Sequence, residues 1–281
     1  MAKNILISPI LKWVGGKRQL LDEIMPNINH NCSTYIEPFV GGGAVFFELQ
    51  PNKAIINDYN TELINVYEMV RCNPDELIKA LQEHDKNNSE EYFYEVRGLD
   101  RTKEFGNLDN IEKAARILYL NKTCYNGLYR VNSAGQFNSP YGKYKNPNIV
   151  NATTIKAMSK FLNKSGIEIL NGDYKVAMRR ARKGAFVYLD PPYMPISSSS
   201  SFTGYTENGF GYDKQVELKQ ECDKLRSKGI SFLLSNSDCP EIRDLYYDYS
   251  IRTVQAKRSI NSNAKKRGEI NEVLISYVPE K

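Results

Sequence analysis

Short apolar segments separated by helix-like stretches constrain the fold of this 281-residue chain more than any other feature. Turn-forming residues bound each segment, which is typical of strands buried in a parallel sheet. The sequence therefore predicts an α/β protein with a doubly wound, Rossmann-like sheet. The predicted strands are YIEPFV from Tyr35, KAIINDY from Lys53, IEIL from Ile167, FVYLD from Phe186, SFLLSN from Ser231 and EVLISYV from Glu272.

Helices are predicted between these strands, at Ala44 to Leu49, Thr61 to Arg71 and Asp213 to Ser227. The alternation stops between residues 73 and 160, where two helical stretches surround a segment rich in Gly, Asn, Tyr and Pro. We expect residues 73–160 to form an inserted, mainly helical lobe. Residues 1–72 and 161–281 would then form the sheet domain.

Composition excludes several classes of chemistry. The net charge of +5 is too small to identify a polyanionic partner by itself. Five scattered cysteines without a C-x-x-C pair, and only two histidines, predict neither a metal site nor a Ser-His-Asp triad. Reduced cysteines favour the cytoplasm. Neither a signal peptide nor an apolar run of about 18 residues is evident, so no membrane span is expected.

A glycine-rich turn, EPFVGGG from Glu37 to Gly43, follows the first predicted strand. Gly41 and Gly43 would let the backbone turn sharply and approach a ligand closely. Phe46 stands where a dinucleotide-binding motif requires its last glycine, which disfavours NAD. A turn that binds no ligand remains an alternative.

Asp58 ends the next predicted strand. A carboxylate at this place can accept hydrogen bonds from the ribose hydroxyls of an adenosine-containing cofactor. Alternatively, it caps the helix that begins near Thr61. The sequence leaves both roles open.

The segment Asp190-Pro191-Pro192-Tyr193 follows the strand FVYL and carries the strongest chemical signal. Two prolines withhold amide donors, so nearby carbonyl oxygens stay available as acceptors. Asp190 and a prolyl carbonyl could each accept one hydrogen of an exocyclic amine, while Tyr193 offers a face for a flipped purine. This pattern predicts methylation of an amine on a base.

These motifs, together with LKWVGGKRQLL from Leu11, resemble the Dam-type (class alpha) DNA adenine-N6 methyltransferases, most closely those that modify GATC. The motifs occur in the family's order along nearly the whole chain. The resemblance implies direct transfer from S-adenosylmethionine to N6 of an adenine flipped out of double-stranded DNA, without a metal. It also implies that residues 1–72 and 161–281 are the catalytic, cofactor-binding domain and that residues 73–160 recognise the target.

The resemblance assigns roles to individual residues. The catalytic residues would be Asp190, Pro191, Pro192 and Tyr193. The cofactor-binding residues would be Trp13, Lys17, Glu37, Pro38, Phe39, Gly41, Gly43, Asp58 and Asp190. The DNA-binding residues would be Lys12, Tyr125, Asn126, Leu128, Arg130, Pro140 and Tyr144, with Tyr125 inserted into the base stack and Arg130 reading a guanine.

The resemblance also implies that the inserted lobe contains a DNA-reading hairpin, from Asn121 to Tyr144. The residue types of this hairpin alone suggest DNA binding as well, because aromatic side chains that could stack or wedge alternate with cations. A tyrosine-rich loop packed on its own lobe is the alternative. The residues concerned are Tyr125, Tyr129, Phe137, Tyr141 and Tyr144, with Arg130, Lys143 and Lys145.

Two further segments have predicted roles. A basic stretch could clamp phosphates, or be an ordinary solvated loop; its cations are Lys257, Arg258, Lys265, Lys266 and Arg267. A second segment could close over the flipped base as a lid, or be a surface linker; it comprises Ser197 to Ser201, Phe202, Thr203 and Tyr205.

Three rival functions remain at this point. Similar Pro-Pro-aromatic motifs could hold cytosine for methylation at N4, or an adenine in RNA, although the hairpin favours duplex DNA. A non-catalytic DNA-binding module is the rival from another class. The motif lacks an adjacent cysteine nucleophile, so methylation of a cytosine ring carbon is not expected. Whether a cognate restriction endonuclease is the genetic partner is left open.

Overall fold

A computed structural model describes residues 3–13, 15–195, 209–257 and 269–279 of the chain. Within these residues it contains seven strands and ten α-helices. All seven strands belong to one sheet. The strands are β1 (Tyr35–Glu37), β2 (Ala54–Asp58), β3 (Ile167–Asn171), β4 (Phe186–Leu189), β5 (Ser231–Ser237), β6 (Ser250–Lys257) and β7 (Glu269–Tyr277).

The strand order in the sheet is β3-β2-β1-β4-β5-β7-β6. Strands β2, β1, β4 and β5 run parallel, whereas β7 is antiparallel to both β5 and β6. This is the doubly wound order 3-2-1-4-5-6 with one antiparallel strand inserted between the last two. The predicted doubly wound α/β fold is confirmed.

The parallel strands bring chemically different side chains together at their carboxyl ends. Glu37 and Asp58 end β1 and β2, Asp190 follows β4, and Ser237 ends β5. Glu272 of the antiparallel β7 is the Cα partner of Ser237, so it reaches the same edge from the opposite direction. Ligands of doubly wound sheets bind beyond the carboxyl ends of the strands, so the functional site is expected there.

The strand β6 was missed by the sequence analysis. Its sequence, SIRTVQAK, mixes polar and apolar residues instead of forming an apolar run. It lies at the edge of the sheet with a single neighbour, β7, so it requires fewer buried side chains than β4 or β5. A search for apolar runs, which identifies fully buried strands, therefore does not detect β6.

The helices agree with the predictions where these were made. The helix predicted at Ala44 to Leu49 has those bounds, and the other two differ by one residue at one end each. The α-helices are α1 (Leu21–Ile24), α2 (Ala44–Leu49), α3 (Thr61–Cys72), α4 (Pro74–Lys86), α5 (Glu90–Gly98), α6 (Asn110–Thr123), α7 (Ala152–Leu162), α8 (Tyr174–Met178), α9 (Tyr212–Ser227) and α10 (Pro240–Leu245).

Packing divides the chain into two compact units. The first consists of Met1–Gly16, Gly41–Gln50 and Asn60–Asn171, and the second of Lys17–Val40, Pro51–Tyr59 and Gly172–Lys281. The functional domain boundaries expected at 72/73 and 160/161 stay a prediction.

In the first unit, a short hairpin follows α6. Single antiparallel bridges join Cys124 to Tyr141 and Val131 to Phe137. Its first turn contains Asn126 at φ 59°, a left-handed conformation that asparagine tolerates better than most residues. The backbone N–H of Tyr125 donates to the carbonyl of Pro140 at 2.8 Å, which closes the base of the hairpin.

A buried ion pair between Arg116 and Asp100 stabilises the hairpin. Arg116 on α6 is 2% exposed, and its Nη2 lies 2.8 Å from Oδ2 of Asp100, whose side chain is 9% exposed. The same carboxylate oxygen accepts a 2.8 Å hydrogen bond from the backbone N–H of Phe137 in the hairpin. Arg101 donates to the carbonyl of Phe137 at 2.7 Å. Asp100 therefore joins the helical part of this unit to the hairpin.

We predict that Asp100→Ala lowers the free energy of unfolding by about 3–5 kcal/mol, because it leaves the buried Arg116 guanidinium without its counter-ion. Urea denaturation measures this loss. The matched control is Glu83→Ala, which removes an exposed pair with Lys86 and should cost under about 1 kcal/mol. Equal losses in the two variants would contradict a special role for Asp100.

Candidate active site and DNA-contacting surface

Asp190 follows β4 directly, at the sheet edge where the parallel strands end. Its side chain is 19% exposed, and its Oδ1 lies 3.0 Å from Nζ of Lys17, whose side chain is 6% exposed. Ser235 on β5 donates a 3.1 Å hydrogen bond to the same carboxylate oxygen. The sequence analysis assigned Lys17 to the cofactor, whereas the structure places its ammonium against the carboxylate of Asp190.

Burial raises the pKa of Asp190, because the ionised carboxylate loses hydration at this position. The ammonium of Lys17 acts in the opposite direction, through its charge and its hydrogen bond, and the negative charge of Glu272 raises the pKa further. The pKa remains above that of an ordinary aspartate. Asp190 is therefore a better hydrogen-bond and proton acceptor than an exposed aspartate.

Tyr193 is held at its hydroxyl and covered on one face. Its O–H donates to Oε2 of Glu272 at 2.6 Å, the short distance typical of a bond to a charged acceptor. Nζ of Lys17 lies 4.5 Å from the centroid of the ring, in the geometry of a cation–π contact. Burial and the charges of Asp190 and Glu272 raise the pKa of Tyr193 well above its ordinary value, so the phenol is a donor.

Buried amide and hydroxyl groups hold the backbone around Tyr193. Gln215, which is fully buried, donates to the carbonyl of Pro192 at 3.0 Å and accepts from Asn236 at 3.0 Å. Asn236 accepts from the N–H of Met194 at 3.1 Å, and the hydroxyl of Ser237 donates to the Met194 carbonyl at 2.7 Å. The main chain is thus anchored on both sides of Tyr193.

The predicted cofactor residues of the second unit adjoin an aromatic cluster. Phe39 stacks on Tyr174 with centroids 4.9 Å apart, and Phe210 packs edge-on against Phe39 at 6.0 Å. Among the described residues, neither the buried hydroxyl of Tyr174 nor the buried Oδ1 of Asn57 on β2 has a hydrogen-bond partner. Buried polar groups of this kind usually have a partner, so they fit a polar ligand that completes them.

Three other predicted residues lie close to this cluster along β1 and β2. Glu37 is 2% exposed and accepts a 2.6 Å hydrogen bond from Tyr35. Asn57 donates to the carbonyl of Pro38 at 2.9 Å. The backbone carbonyl of Asp58 accepts from the N–H of Gly172, and its side chain is half-buried. Glu37 and Pro38 thus make internal hydrogen bonds that hold the carboxyl ends of β1 and β2.

The glycines of the turn, Gly41 to Gly43, belong to the first unit, and two of these positions require glycine. Gly43 has φ 71°, and a Cβ there would lie 2.7 Å from the ring of Phe47. Gly41 has φ 49°, and a Cβ there would lie 3.0 Å from the indole of Trp13. Trp13 also stacks on Tyr129 with centroids 4.6 Å apart. The structure therefore joins two predicted cofactor motifs, Trp13 and the glycine turn, within one unit.

The predicted DNA-binding residues all belong to the first unit, and all but one of them are exposed. Tyr125 is 57% exposed and Tyr144 is 40% exposed. Asn138 holds the exposed guanidinium of Arg130, accepting from Nε at 2.7 Å and from Nη2 at 3.3 Å. Lys12, Asn126 and Pro140 are exposed, and Leu128 is half-buried.

Lys12 lies beside the first turn of the hairpin, although more than a hundred residues separate the two in sequence. Asn121 accepts from the backbone N–H of Lys12 at 2.9 Å and donates to the carbonyls of Lys12 and Gly127 at 2.8 and 3.0 Å. A Cβ on Gly127 would lie 2.6 Å from the Lys12 side chain. The buried Asn121 therefore joins the two segments expected to contact DNA.

Two hairpin aromatics are buried, so the expectation that all five could stack on bases is wrong. Tyr129 is 3% exposed and Phe137 is 1% exposed. The hydroxyl of Tyr129 donates to Glu62 at 2.7 Å, and its ring packs against Trp13 and Phe137. For these two residues the alternative of a loop packed on its own lobe applies.

The two remaining predicted elements lie outside the described residues. The lid at Ser197 to Ser201 with Phe202, Thr203 and Tyr205 is one of them. The other is the basic clamp, of which Arg258, Lys265, Lys266 and Arg267 are outside and only the backbone of Lys257 is described, at the end of β6.

The sequence analysis missed Tyr174, Gln215, Asn236 and Glu272. Tyr174 had a detectable signal, since GDY follows β3 as DPPY follows β4, with an acid and an aromatic residue at a strand end. Glu272 also had one, because a carboxylate adjoins the apolar run VLISY. Gln215 and Asn236 had none, because a helix and a strand end often contain amides.

A doubly wound sheet with a partly buried Asp-Pro-Pro-Tyr segment at one strand end indicates a methyltransferase that acts on an exocyclic amine. Residues 13–260 match the family described as D12 class N6 adenine-specific DNA methyltransferase. The match covers most of the sequence. The chain therefore belongs to the D12 class of N6 adenine-specific DNA methyltransferases.

Individual relatives agree with this family. The Type II methyltransferase M1.LlaDCHI of Lactococcus lactis subsp. cremoris is 46% identical over 277 residues, which cover 98% of each chain. The Type II methyltransferase M.MjaIII of Methanocaldococcus jannaschii is 41% identical, with 96% of this chain and 98% of that protein covered. The DNA adenine methylase of Escherichia coli K12 is 35% identical, with 96% and 95% covered.

Among the described residues, no helix has the length and hydrophobicity needed to cross a membrane. That part of the chain also contains no cluster of three or more His, Cys, Asp or Glu side chains that could share a metal ion.

We predict that Lys17→Met raises the pKa of Asp190, because the variant removes the ammonium that favours the ionised carboxylate. The measurement is a pH titration of the aspartate carboxyl carbons by NMR, with Asp190→Asn to assign the signal. Lys219→Met, which removes a lysine paired with Asp223 and Asp248, should leave the Asp190 titration unchanged. A lower or unchanged pKa in Lys17→Met would contradict the assigned electrostatics.

Proposed function

We propose that this DNA adenine methyltransferase uses S-adenosylmethionine to methylate N6 of an adenine flipped out of duplex DNA, within the sequence GATC. The observation that carries the proposal is the mostly buried carboxylate of Asp190 beside the ring of Tyr193 at the end of β4. Adenine has two N6 hydrogens that require acceptors and a planar ring that can stack on an aromatic side chain. Asp190 and a prolyl carbonyl would accept the two hydrogens, and Tyr193 would stack on the ring.

The two prolyl carbonyls are not equivalent. That of Pro192 already accepts a hydrogen bond from Gln215. The carbonyl of Pro191 is therefore the one we assign to the second N6 hydrogen, with Asp190 accepting the first. Two acceptors in the plane of the amine direct its lone pair out of that plane, towards the incoming methyl group.

Asp190 would also stabilise the charge that develops on N6 as the new N–C bond forms. A carboxylate in a poorly hydrated site stabilises a nearby positive charge more strongly than one in water. Its raised pKa favours acceptance of the proton that the amine must lose. Lys17 would have to leave its present position between Asp190 and the Tyr193 ring for a base to stack there.

The second unit has groups that would hold the cofactor. Asp58 would accept hydrogen bonds from the ribose hydroxyls of the cofactor, and Phe39 and Tyr174 would contact its adenine ring. The unpartnered hydroxyl of Tyr174 and Oδ1 of Asn57 would gain a polar partner. S-adenosylmethionine supplies an electrophilic methyl group on a sulfonium. The roles of Trp13, Gly41 and Gly43 in cofactor binding rest on the family resemblance.

The exposed hairpin supports duplex DNA as the form of substrate. Tyr125 and Pro140 adjoin each other at its base, where Tyr125 could wedge between base pairs. Arg130 is held by Asn138, so its guanidinium is oriented before DNA binds. GATC itself rests on the resemblance of this hairpin to Dam-type enzymes. Because two relatives are named Type II methyltransferases, we also propose a restriction endonuclease as the genetic partner.

We predict that Asp190→Ala slows methyl transfer by about a hundredfold or more, because the amine loses its charged acceptor. DNA binding should persist, since the exposed hairpin belongs to the other unit. Transfer of labelled methyl groups to DNA, with identification of the modified nucleoside, measures the effect. Asp238→Ala is the matched control, because it removes another partly buried carboxylate, beyond the end of β5, that pairs with Arg243. Near-normal transfer in Asp190→Ala, or N4-methylcytosine as the product, would refute the proposal.

We predict that Arg130→Ala removes about 1–3 kcal/mol of discrimination at one guanine, because the guanidinium can donate two hydrogen bonds to O6 and N7. The measurement compares methylation of GATC with each single-base variant at fixed salt. Lys145→Ala, which removes an exposed cation, should weaken binding to all sequences alike and reduce its salt dependence. An unchanged preference in Arg130→Ala would place base recognition elsewhere.

A further inference from the structure

Glu272 is a carboxylate on β7 that directly precedes a buried apolar run of the same strand. The three residues that follow it on β7, Val273, Leu274 and Ile275, are at most 2% exposed. Glu272 itself is half-buried, and within the described ranges no Lys or Arg forms an ion pair with it. Placing a carboxylate at such a position costs hydration unless a good donor compensates. The hydroxyl of Tyr193, at 2.6 Å, is that donor.

The register of the sheet brings Glu272 to Tyr193. Glu272 is paired with Ser237, and the hydroxyl of Ser237 donates to the carbonyl of Met194, the residue after Tyr193. The antiparallel β7 thus delivers a carboxylate to the edge where the parallel strands end. A parallel strand in this place would present different residues there, so the reversed direction has a consequence for the site.

Glu272 restrains the ring of Tyr193, whereas other groups restrain the backbone. Gln215, Asn236 and Ser237 bind the main chain on both sides of the residue. Those bonds leave rotation about the side-chain torsions of Tyr193 unfixed. The bond to Glu272 acts at the far end of the side chain, where a small displacement changes the ring plane most.

We propose that Glu272 is a positioning residue for methyl transfer, which acts by holding the phenol of Tyr193 so that its ring plane matches the target base. This inference rests on the proposed function, in which that ring stacks on the flipped adenine. Glu272 touches neither the base nor the cofactor in this role. Its effect passes through one hydrogen bond.

The structure provides a close internal control. Tyr249 donates to Oδ1 of Asp223 at 2.6 Å, the same bond type at the same length in the same unit. Asp223 lies on α9 and has no part in the proposed chemistry. Breaking this bond reports what the loss of a tyrosine–carboxylate bond does to the enzyme in general.

The test compares single-turnover methylation at saturating DNA and cofactor for Glu272→Leu, Glu272→Gln, Tyr193→Phe and the double variant Glu272→Leu/Tyr193→Phe. Glu272→Leu should slow transfer by about ten- to a hundredfold, because misplacement of a reacting group has effects of this size. The KM for DNA should stay within about twofold. Glu272→Gln retains an acceptor oxygen and should stay within about threefold of the wild type.

The double variant tests whether the two side chains act through one bond. If they do, it is no slower than the slower of the two single variants, since the bond can be lost only once. The control variants Asp223→Leu and Tyr249→Phe should leave the rate constant for transfer unchanged. Circular dichroism and thermal melts on every variant separate loss of fold from loss of rate.

Three results would overturn the proposal: a normal rate in Glu272→Leu, multiplicative losses in the double variant, or no recovery in Glu272→Gln. Failure of the proposed function is recognised separately. In that case Asp190→Ala would remain active or the wild type would not form N6-methyladenine, and the role given to Glu272 would fall with it. If the wild type forms N6-methyladenine and Asp190→Ala does not, the proposed function stands. The rates of the Glu272 variants then test only the positioning role of Glu272.

Discussion

The site depends on one buried interaction, the pair between Lys17 and Asp190. A carboxylate that is four-fifths buried at the end of β4 would be costly to ionise without a counter-ion. The ammonium of Lys17, itself almost fully buried, supplies that charge and at the same time covers the ring of Tyr193. Both groups proposed to receive the adenine are therefore satisfied by a single side chain in the structure.

This pairing has a consequence for substrate binding. A buried ion pair gains Coulomb energy but requires its partners to remain together, so a substrate must replace what it displaces. An exocyclic amine with two polarised hydrogens can replace part of the interaction of Lys17 with Asp190. An apolar ring edge cannot. Selection for an amino base would then begin with the cost of separating Lys17 from Asp190.

The first unit depends on a different buried charge. Arg116 and Asp100 join its helices to the hairpin, and Asn121 joins the hairpin to the segment containing Lys12. These bonds leave Tyr125 and Arg130 exposed on a restrained backbone. A surface that must read bases needs side chains free to contact DNA and a backbone that does not move with them. The structure shows that combination within the unit.

The sequence predicted most of the sheet because buried parallel strands form apolar runs. It predicted Asp190 and Tyr193 as neighbours because both belong to a four-residue motif that directly follows β4. The partner of Asp190 could not be inferred in this way, since Lys17 is distant in sequence and its pairing depends on tertiary packing. The strand β6 was missed because its sequence is not an apolar run. Glu272 adjoins an apolar run that was predicted, but its contact with Tyr193 depends on the pairing of β7 with β5.

Residue type alone was a poor guide in the hairpin. Tyr129 and Phe137 have the same aromatic character as Tyr125, yet they are buried and Tyr125 is exposed. The difference arises from which side chains face Trp13 and Glu62, which no local pattern reveals. The family resemblance predicted a hairpin, and the sequence itself shows the cations that accompany its aromatic residues. Burial decided which of its aromatics remain available.

The central claim is that the end of β4 holds the amine of a flipped adenine. A crystal structure with duplex DNA containing GATC and a non-reactive analogue of S-adenosylmethionine tests it most directly. We expect the carboxylate of Asp190 and the carbonyl of Pro191 each within about 3.2 Å of N6, with the base stacked on Tyr193 and Lys17 moved off the ring. An adenine that remains in the helix, or an N6 bound by other groups while Lys17 keeps its contact with Asp190, would contradict the account.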